Sequence, residues 1–187
     1  MAKPSSPRGT GRQRVLDAAL LLFARKGVSA TSLQDIASEL GVTKAAVYFQ
    51  FHTKDEIVLA VLEPFLSQLE GAVAAAQAQP DADAQREHML KALIDLAIDN
   101  AAVAAVLQHD ITVARVTAAD PRVRDIGQAV TAVLTGPQPS AGLRVAAALL
   151  GQSLVVLRAD PALADIDDAA LRIELLACTR RLLEYDS

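Results

Sequence analysis

The chain has 187 residues, enough to bury one sizeable core or a small module joined to a larger one, which leaves one or two domains. Apolar residues make up 52% of it, mostly Ala, Leu and Val with few aromatics, and this composition favours helices packed on helices. The net charge of −4 would by itself argue against a nucleic-acid partner, but the charge is unevenly distributed. Residues 1–54 carry eight Lys and Arg against three Asp and Glu, whereas residues 55–187 carry ten against nineteen, so a polyanion would be attracted to the first segment alone.

The sequence shows neither a secretion signal nor an apolar run long enough to cross a membrane. The first fourteen residues are polar and rich in Pro and Gly, with no apolar leader after them, so we expect a cytoplasmic protein. The longest apolar run, residues 145–157, is interrupted by polar residues and too short to cross a bilayer, so we expect no membrane partner. Cys178 is a single cysteine whose apolar neighbours suggest a small core side chain.

The front of the chain predicts a flexible arm and two helices. The arm covers residues 1–11, and apolar residues then recur at helical spacing until Gly27, which follows basic residues in the last turn. We expect Thr31 to open the second helix, because Thr31 and Gln34 stand in the relation of a capping box. Gly41 should end that helix by adopting the left-handed conformation.

A third, short helix follows so closely that the pair predicts a helix-turn-helix. Only Val42 separates Gly41 from Thr43, the N-cap candidate of a helix that runs to about residue 51. Helices joined by so short a turn must cross steeply, and Ala37 is the small residue at their contact. The apolar seam between them is expected to consist of Ile36, Leu40, Val42, Val47 and Phe51. We therefore predict a helix-turn-helix domain over residues 12–53.

The burial of that seam turns the rest of the third helix outward. Lys44, Ala45, Tyr48 and Phe49 would then be exposed, which is costly for apolar groups unless something covers them. The major groove of DNA offers guanine acceptors, thymine methyls and phosphates that match such a surface. The alternative is that the two aromatic rings pack inside the domain.

The fourth helix contains a proline. Thr53 should cap it, with Glu56 closing the capping box, and its apolar pattern extends into the Ala-rich residues 72–78. Pro64 lies inside this pattern, where it removes a backbone hydrogen bond to Ala60 and should kink or split the helix.

The remaining pattern predicts five more helices. Residues 79–83 and 136–142 have the composition of loops, and Asp120 and Pro121 supply an N-cap and a first-turn proline. The five helices are predicted from the first loop to about Asn100, over most of 102–118, from Asp120, over roughly 141–158 and over roughly 167–184. The expected fold is all-α, with about nine helices and a helical body over residues 54–187.

The N-terminal pattern resembles the TetR family of bacterial transcription regulators over about residues 12–60. The matching residues are Val15-Leu-Asp-Ala-Ala19, Leu22-Phe23, Gly27, Thr31-Ser-Leu-Gln-Asp-Ile-Ala37, Gly41-Val-Thr43, Tyr48, Phe51 and Lys54. Residues 41–51 also resemble actinobacterial autoregulator receptors of the γ-butyrolactone type. The family resemblance implies a ligand-responsive repressor that binds double-stranded DNA.

Carried over residue by residue, the resemblance implies a set of DNA contacts. The groove-facing set is Thr43, Lys44, Ala45, Ala46, Tyr48 and Phe49. Gln50 joins the DNA-binding set although the family commonly has His or Tyr at that position. Thr31, Ser32 and Lys54 are the implied phosphate contacts, and Lys54 also lies in the first turn of a helix whose dipole favours a phosphate.

The last two helices are so broadly apolar that one protomer could not easily cover both. A four-helix bundle made with a second copy is the natural solution, and members of the resembled family dimerise in this way. The expected interface residues are Leu150, Leu154, Leu171, Leu175 and Leu182. The alternative is an ordinary monomer core.

The resemblance also implies an inducer cavity in the helical body. A mostly aliphatic wall with a few polar groups is typical of small-molecule sites, and it suits an apolar or amphipathic ligand. The expected contacts are Phe65, Met89, Leu93, Val106 and His109. His109 is the first candidate for a polar contact, with a solvated or structurally satisfied histidine as its alternative.

Two other classes of function are alternatives to a ligand-responsive regulator. An enzyme is disfavoured because the sequence contains no Gly-rich phosphate loop, no G-x-S-x-G and no His or Cys pair at metal-ligand spacing. We therefore expect no catalytic residue, no metal and no cofactor. A DNA-binding protein without a ligand, whose body serves for dimerisation alone, stays open.

Overall fold

The computed structural model describes residues 8–101, 103, 110–157 and 160–184, and these residues are helical wherever they form regular structure. Nine α-helices lie in the described part, so the expected all-α class is confirmed. They are α1 Arg8–Lys26, α2 Leu33–Leu40, α3 Lys44–Gln50, α4 Lys54–Gln77, α5 Ala82–Asp99, α6 Ile111–Ala119, α7 Pro121–Thr135, α8 Ala141–Leu157 and α9 Asp168–Glu184, with a 3₁₀ turn at Pro161–Leu163.

The starts of α1 and α6 differ from the sequence expectation. Because α1 begins at Arg8, residues 8–11 of the expected arm are helical. The single helix expected over 102–118 is interrupted at Asp110, after which α6 begins. The Asp110 carboxylate accepts a hydrogen bond from the Thr112 backbone N–H at 2.8 Å, which is how an aspartate opens a new helix.

The helix α4 runs unbroken past Pro64, so the expected split does not occur. Thr53 caps it as predicted, because the Thr53 hydroxyl oxygen accepts from the Glu56 N–H at 3.1 Å. Among the described helices α4 alone is long and apolar enough to cross a membrane, a test that core helices of soluble proteins also pass.

The chain folds into two compact units. The first comprises residues 1–64 and 106–119, so it contains the helix-turn-helix, the start of α4 and the whole of α6. Its core consists of Val15, Ala18, Ala19, Leu22, Phe23, Val28, Ile36, Ala37, Val47, Phe51, Ile57, Val58, Val113 and Val116. Of the seam residues expected between α2 and α3, Leu40 is half-buried and Val42 is exposed.

The second unit comprises residues 65–105 and 120–187, with two apolar clusters. One cluster joins α4, α5, α7, α8 and α9 and includes Met89, Leu134 and Leu150. The other joins α5, α8 and α9 and includes Leu154 and Leu171. Three of the residues expected at a dimer interface therefore lie inside one protomer.

Ion pairs along the seam between α5 and α9 reinforce the second unit. Arg172 donates to Asp95 at 2.8 Å and to Asp99 at 2.6 Å. Arg180 donates to Glu87, and this hydrogen bond lowers the pKa of Glu87 to about 2 against the opposing effect of partial burial. These contacts fix the face that α9 turns toward α5.

Cys178 does not occupy the core as expected but is exposed on α9. The expectation was wrong because residues that are adjacent in sequence point to different faces of a helix. The apolar neighbours of Cys178 therefore say little about the direction of its own side chain.

Candidate nucleic-acid interface

Ser32, not Thr31, caps α2. The Ser32 hydroxyl oxygen accepts from the Asp35 N–H at 3.2 Å, and the Asp35 carboxylate accepts from the Ser32 N–H at 2.8 Å. Hydrogen bonds from the Ser32 hydroxyl and N–H, helped by Lys26, lower the pKa of Asp35 to about 2. The capping box is thus shifted by one residue from the expected pair of Thr31 and Gln34.

Thr31 is buried, which removes it from the expected phosphate contacts. Its hydroxyl donates to the Gly27 carbonyl at 2.7 Å, and its exposed fraction is 2%. In this arrangement Thr31 closes the loop between α1 and α2. Ser32 is exposed, as the expected phosphate contact requires.

The turn between α2 and α3 has the geometry that the glycine predicted. Gly41 adopts φ 64° and ψ 32°, a left-handed conformation that strains residues with a side chain. The Val42 N–H then donates to the Ala37 carbonyl at 3.0 Å, and Thr43 caps α3 by accepting from the Ala46 N–H at 3.2 Å. The prediction of Thr43 as N-cap is confirmed.

The helix α3 buries one face and exposes the other. Val47 and Phe51 are almost fully buried and anchor the helix to α1 and α2. On the outer side Tyr48 is 52% exposed and Phe49 is 81% exposed, so neither aromatic ring packs inside the domain. Thr43, Lys44, Ala45 and Ala46 are exposed as well.

Neighbouring side chains hold the exposed face in place. The rings of Tyr48 and His52 meet edge to face with centroids 5.0 Å apart. The Arg12 guanidinium lies over the Phe51 ring, 4.2 Å from its centroid. Gln50 is half-buried, and a Cβ added at Gly11 would lie 3.6 Å from its Nε2. Neither Arg12 nor His52 could be found from periodicity, because both are polar residues outside the apolar pattern.

The helix α3 contributes no acidic side chain to its exposed face. The two acids of α2 are turned toward α1, where Asp35 pairs with Lys26 at 3.0 Å and Glu39 pairs with Arg25 at 3.6 Å. An anion approaching α3 therefore meets Lys44 and the helix N-terminus without an opposing carboxylate on that helix.

Lys54 was expected to contact a phosphate, but its side chain binds backbone groups of the protein itself. Its ammonium donates to the carbonyls of Val28 at 2.8 Å and Ser29 at 3.0 Å, and the side chain is half-buried. These bonds tie the start of α4 to the loop that follows α1. Sequence alone could not reveal them, because the partners lie more than twenty residues away and are backbone groups.

The same loop is bound by the start of α6. The Asp110 carboxylate accepts from the Ser29 N–H at 2.7 Å and from the Ser29 hydroxyl at 2.7 Å, and that hydroxyl lies 2.9 Å from the Thr112 hydroxyl. Gly27, at φ 84°, lies so close that an added Cβ would meet Asp110 Oδ2 at 3.4 Å. We call Ser29, Asp110 and Thr112 the loop clamp.

Electrostatics and a second ion pair strengthen this junction. Desolvation raises the pKa of Asp110, but the hydrogen bonds from Ser29 and Thr112 outweigh it and lower that pKa to about 2. One turn further along α6, Arg115 donates to both carboxylate oxygens of Asp55 at 2.8 and 2.9 Å. The helix α6 is thereby fastened to the α1–α2 loop and to the first turn of α4.

The residues expected around a ligand lie in the second unit or outside the described part. Met89 is fully buried in the first cluster, Leu93 packs against both clusters, and Phe65 is half-buried. Val106 and His109 lie outside the described residues.

These features define a class of protein: a helix-turn-helix domain with an exposed third helix, followed by a helical body. Residues 15–61 match the family described as bacterial regulatory proteins, tetR family. Over these residues the chain is similar to that family. The narrower likeness to γ-butyrolactone receptors is not tested by the match and stays a prediction.

Known relatives agree in the N-terminal part and in fold. The chain is 51% identical over 51 residues to the transcriptional regulator SrpR of Pseudomonas putida, a stretch covering 27% of this chain and 24% of that protein. Alignments with the curated relatives span from 19% to 43% of those relatives' length. The named relatives are transcriptional regulators, and the family is not one of enzymes.

Solved structures share the fold over nearly the whole chain. A tetR-family regulatory protein from Rhodococcus RHA1 has a TM-score of 0.69 at 23% identity and covers 95% of this chain and 98% of its own. AibR, solved with isovaleryl coenzyme A and operator DNA, has a TM-score of 0.64 at 17% identity and covers 90% of this chain and 97% of its own.

Proposed function

We propose that this protein is a sequence-specific transcription regulator that binds double-stranded operator DNA through α3. The observation that carries the proposal is the outer face of α3, where a Phe ring, a Tyr ring and Lys44 are exposed on a helix held by a buried face. An α-helix fits the major groove, and such a face offers apolar, hydrogen-bonding and charged contacts there. The protein would act in the cytoplasm, where the operator is, with no membrane partner.

Footprinting on the DNA upstream of the protein's own gene tests this function. We expect a protected palindrome, whose half-sites reflect the two-fold symmetry of a dimer. Protection that is equal on unrelated duplexes of the same length would contradict sequence-specific binding.

The proposed dimer uses a face of α8 that the protomer leaves uncovered. Val145 is 60% exposed and Leu149 is 56% exposed, and Ala148 between them is exposed as well. These residues share one side of α8, since they are spaced by three and four. On α9, Ile173 and Leu182 are also exposed. Such apolar surface favours contact with a second copy.

The expected interface set changes accordingly. Leu150, Leu154 and Leu171 are buried in the protomer, and Leu175 packs against its second cluster. Leu182 alone of that set remains an exposed candidate for the interface.

We further propose that a small apolar or amphipathic molecule releases the DNA. The relevant support is the loop clamp, because it joins α6 to the loop that precedes α2 in the DNA-binding part. A ligand that favours a different position of α6 would bias the helix-turn-helix, and a tenfold loss of DNA affinity needs about 1.4 kcal/mol of differential ligand binding. AibR, of the same fold, was solved with an acyl coenzyme A and operator DNA. Repression is the mode we assign.

A screen of apolar and amphipathic compounds for release of the footprinted DNA tests the ligand. Phe65, Met89, Leu93, Val106 and His109 remain the proposed contacts. A complete lack of release across acyl, terpenoid and steroid compounds, with the DNA still bound specifically, would favour a regulator without a ligand.

A further inference from the structure

We propose that Phe49, together with Ala45, reads the C5-methyl group of a thymine in each half-site. The inference rests on the proposed function, since it names what one part of α3 recognises in DNA. It makes Phe49 a specificity-determining residue rather than a general anchor.

The exposed surface of α3 divides into two ridges of different chemistry. Ala45 and Phe49 are one helical turn apart and form an apolar ridge. Lys44 and Tyr48 are likewise one turn apart and form a polar ridge, extended by the contact of Tyr48 with His52. Donors for base edges and phosphates lie on the polar ridge, so the apolar ridge needs a different partner.

The apolar ridge has only one kind of partner in the major groove. A phenylalanine ring offers no conventional hydrogen-bond donor or acceptor to base edges and phosphates. Among the groups that the four base pairs present in that groove, the thymine methyl is the apolar one. An exposed fraction of 81% leaves the Phe49 ring almost entirely open to such a contact.

The anchoring of α3 makes a contact as small as a methyl group measurable. Val47 and Phe51 are 0% and 1% exposed, and Arg12 covers the Phe51 ring. Thr43 fixes the first turn by its bond to the Ala46 N–H. The ridge therefore sits on a backbone that cannot shift freely to replace a missing methyl.

The experiment uses deoxyuridine, which differs from thymidine by that methyl alone. The full-length protein first selects a duplex from a random library about two helical turns long. The selected duplex is then made with deoxyuridine in place of thymidine, at all positions and one at a time. Each buried methyl lost should weaken binding about fourfold, and a dimer that loses one in each half-site about fifteenfold.

Two variants decide whether Phe49 is responsible. Two duplexes are compared, the one with thymidine throughout and the singly substituted deoxyuridine duplex that weakens binding most. The Phe49→Ala protein should bind them with nearly equal affinity, because only the small Ala45 remains on the apolar ridge, whereas Lys44→Ala, the matched control on the polar ridge, should bind more weakly yet keep the difference between them. Circular dichroism checks that both variants fold. Equal binding of both duplexes by the unaltered protein, or an unchanged difference in Phe49→Ala, would overturn the inference. Selection of no preferred sequence would instead contradict the proposed function.

Discussion

Asp110 links the loop between α1 and α2 to the start of α6 through a single carboxylate. Replacing it by alanine removes the N-cap of α6 and the acceptor of both Ser29 bonds. We expect Asp110→Ala to lower the free energy of unfolding by about 1 to 3 kcal/mol, measured by urea denaturation.

A matched control separates the two contributions of Asp110 to stability, its capping of α6 and its hydrogen bonds with Ser29. Asp120 caps α7 by accepting from the Val123 N–H at 3.1 Å. A double-mutant cycle of Asp110→Ala with Ser29→Ala should give a coupling of about 0.5 to 3 kcal/mol, whereas Asp120→Ala with Ser29→Ala should give about zero. Additive effects for both pairs would mean that the hydroxyl of Ser29 is not coupled to Asp110.

The pKa of Asp110 also predicts an acid dependence. Because its folded pKa of about 2 lies below the unfolded value of about 3.9, the carboxylate stabilises the native state above the unfolded pKa. That stability should be lost as the pH falls through the range from about 4 to about 2. In acid titrations followed by circular dichroism, the advantage of the unaltered protein over Asp110→Ala should therefore shrink across this range.

The two lysines near the interface should respond differently to removal. Lys44→Ala should leave the melting temperature nearly unchanged but cost about 1 to 3 kcal/mol of specific DNA binding. Lys54→Ala leaves two carbonyls without their donor, so it should lower the melting temperature and reduce binding to all sequences alike. A stable Lys54→Ala protein with a salt dependence lower by about one phosphate would restore the phosphate role.

At the residue scale the sequence predicted local contacts better than distant ones. The caps at Thr43 and Thr53 follow from residues three positions away, and both were predictable. Thr31 and Ser32 are both suitable caps, and Ser32 takes the role because Thr31 is buried with its hydroxyl bonded to the Gly27 carbonyl. The local sequence pattern does not show which of the two residues is buried. The Ser29 and Asp110 contact joins residues 81 positions apart and carries no local signal.

At the scale of elements, α8 is the test of the proposed dimer. Leu149→Glu places a charge on the exposed side, so it should yield a folded monomer in sedimentation experiments. Leu150→Glu buries an unpaired carboxylate in the core of the protomer and should destabilise the fold itself. Retention of the dimer by Leu149→Glu would remove this face from consideration.

The periodicity of apolar residues predicted the helices but not the roles of their faces. In α8, apolar residues lie on all sides, so the pattern could not distinguish the inner Leu150 from the outer Leu149. The break at Asp110 was missed for a similar reason, since helix-compatible residues on both sides concealed a cap. Periodicity works best where one face is polar.

Pro64 offers a prediction about α4 as a single element. The helix continues through the proline. Pro64 is also the residue at which the first segment of the first unit, residues 1–64, ends. Pro64→Ala restores the missing backbone bond and stiffens the helix. DNA affinity should stay near that of the unaltered protein, while the concentration of a releasing compound needed for half-release should rise. Unchanged release at equal compound binding would show that Pro64 does not transmit the signal.

At the scale of the whole molecule, the opposite charges of the two parts predict how binding depends on salt. The excess of basic residues in 1–54 should attract DNA, and the acidic excess of 55–187 should repel it. The logarithm of affinity should therefore fall linearly with the logarithm of salt concentration, with a slope of about −0.9 for each phosphate neutralised. Titrations of the full-length protein on random duplex DNA at several salt concentrations measure it, and a salt-independent affinity would contradict it.

The exposed Cys178 gives each protomer one natural attachment point for a probe. Because the chain has no second cysteine, a nitroxide or a fluorophore can be attached without any substitution. A dimer would then carry two identical labels, one on each side of the symmetry axis, and the distance between them can be measured. Comparing this distance with and without operator DNA would show whether the two α9 helices move relative to each other, in the unaltered protein and in solution.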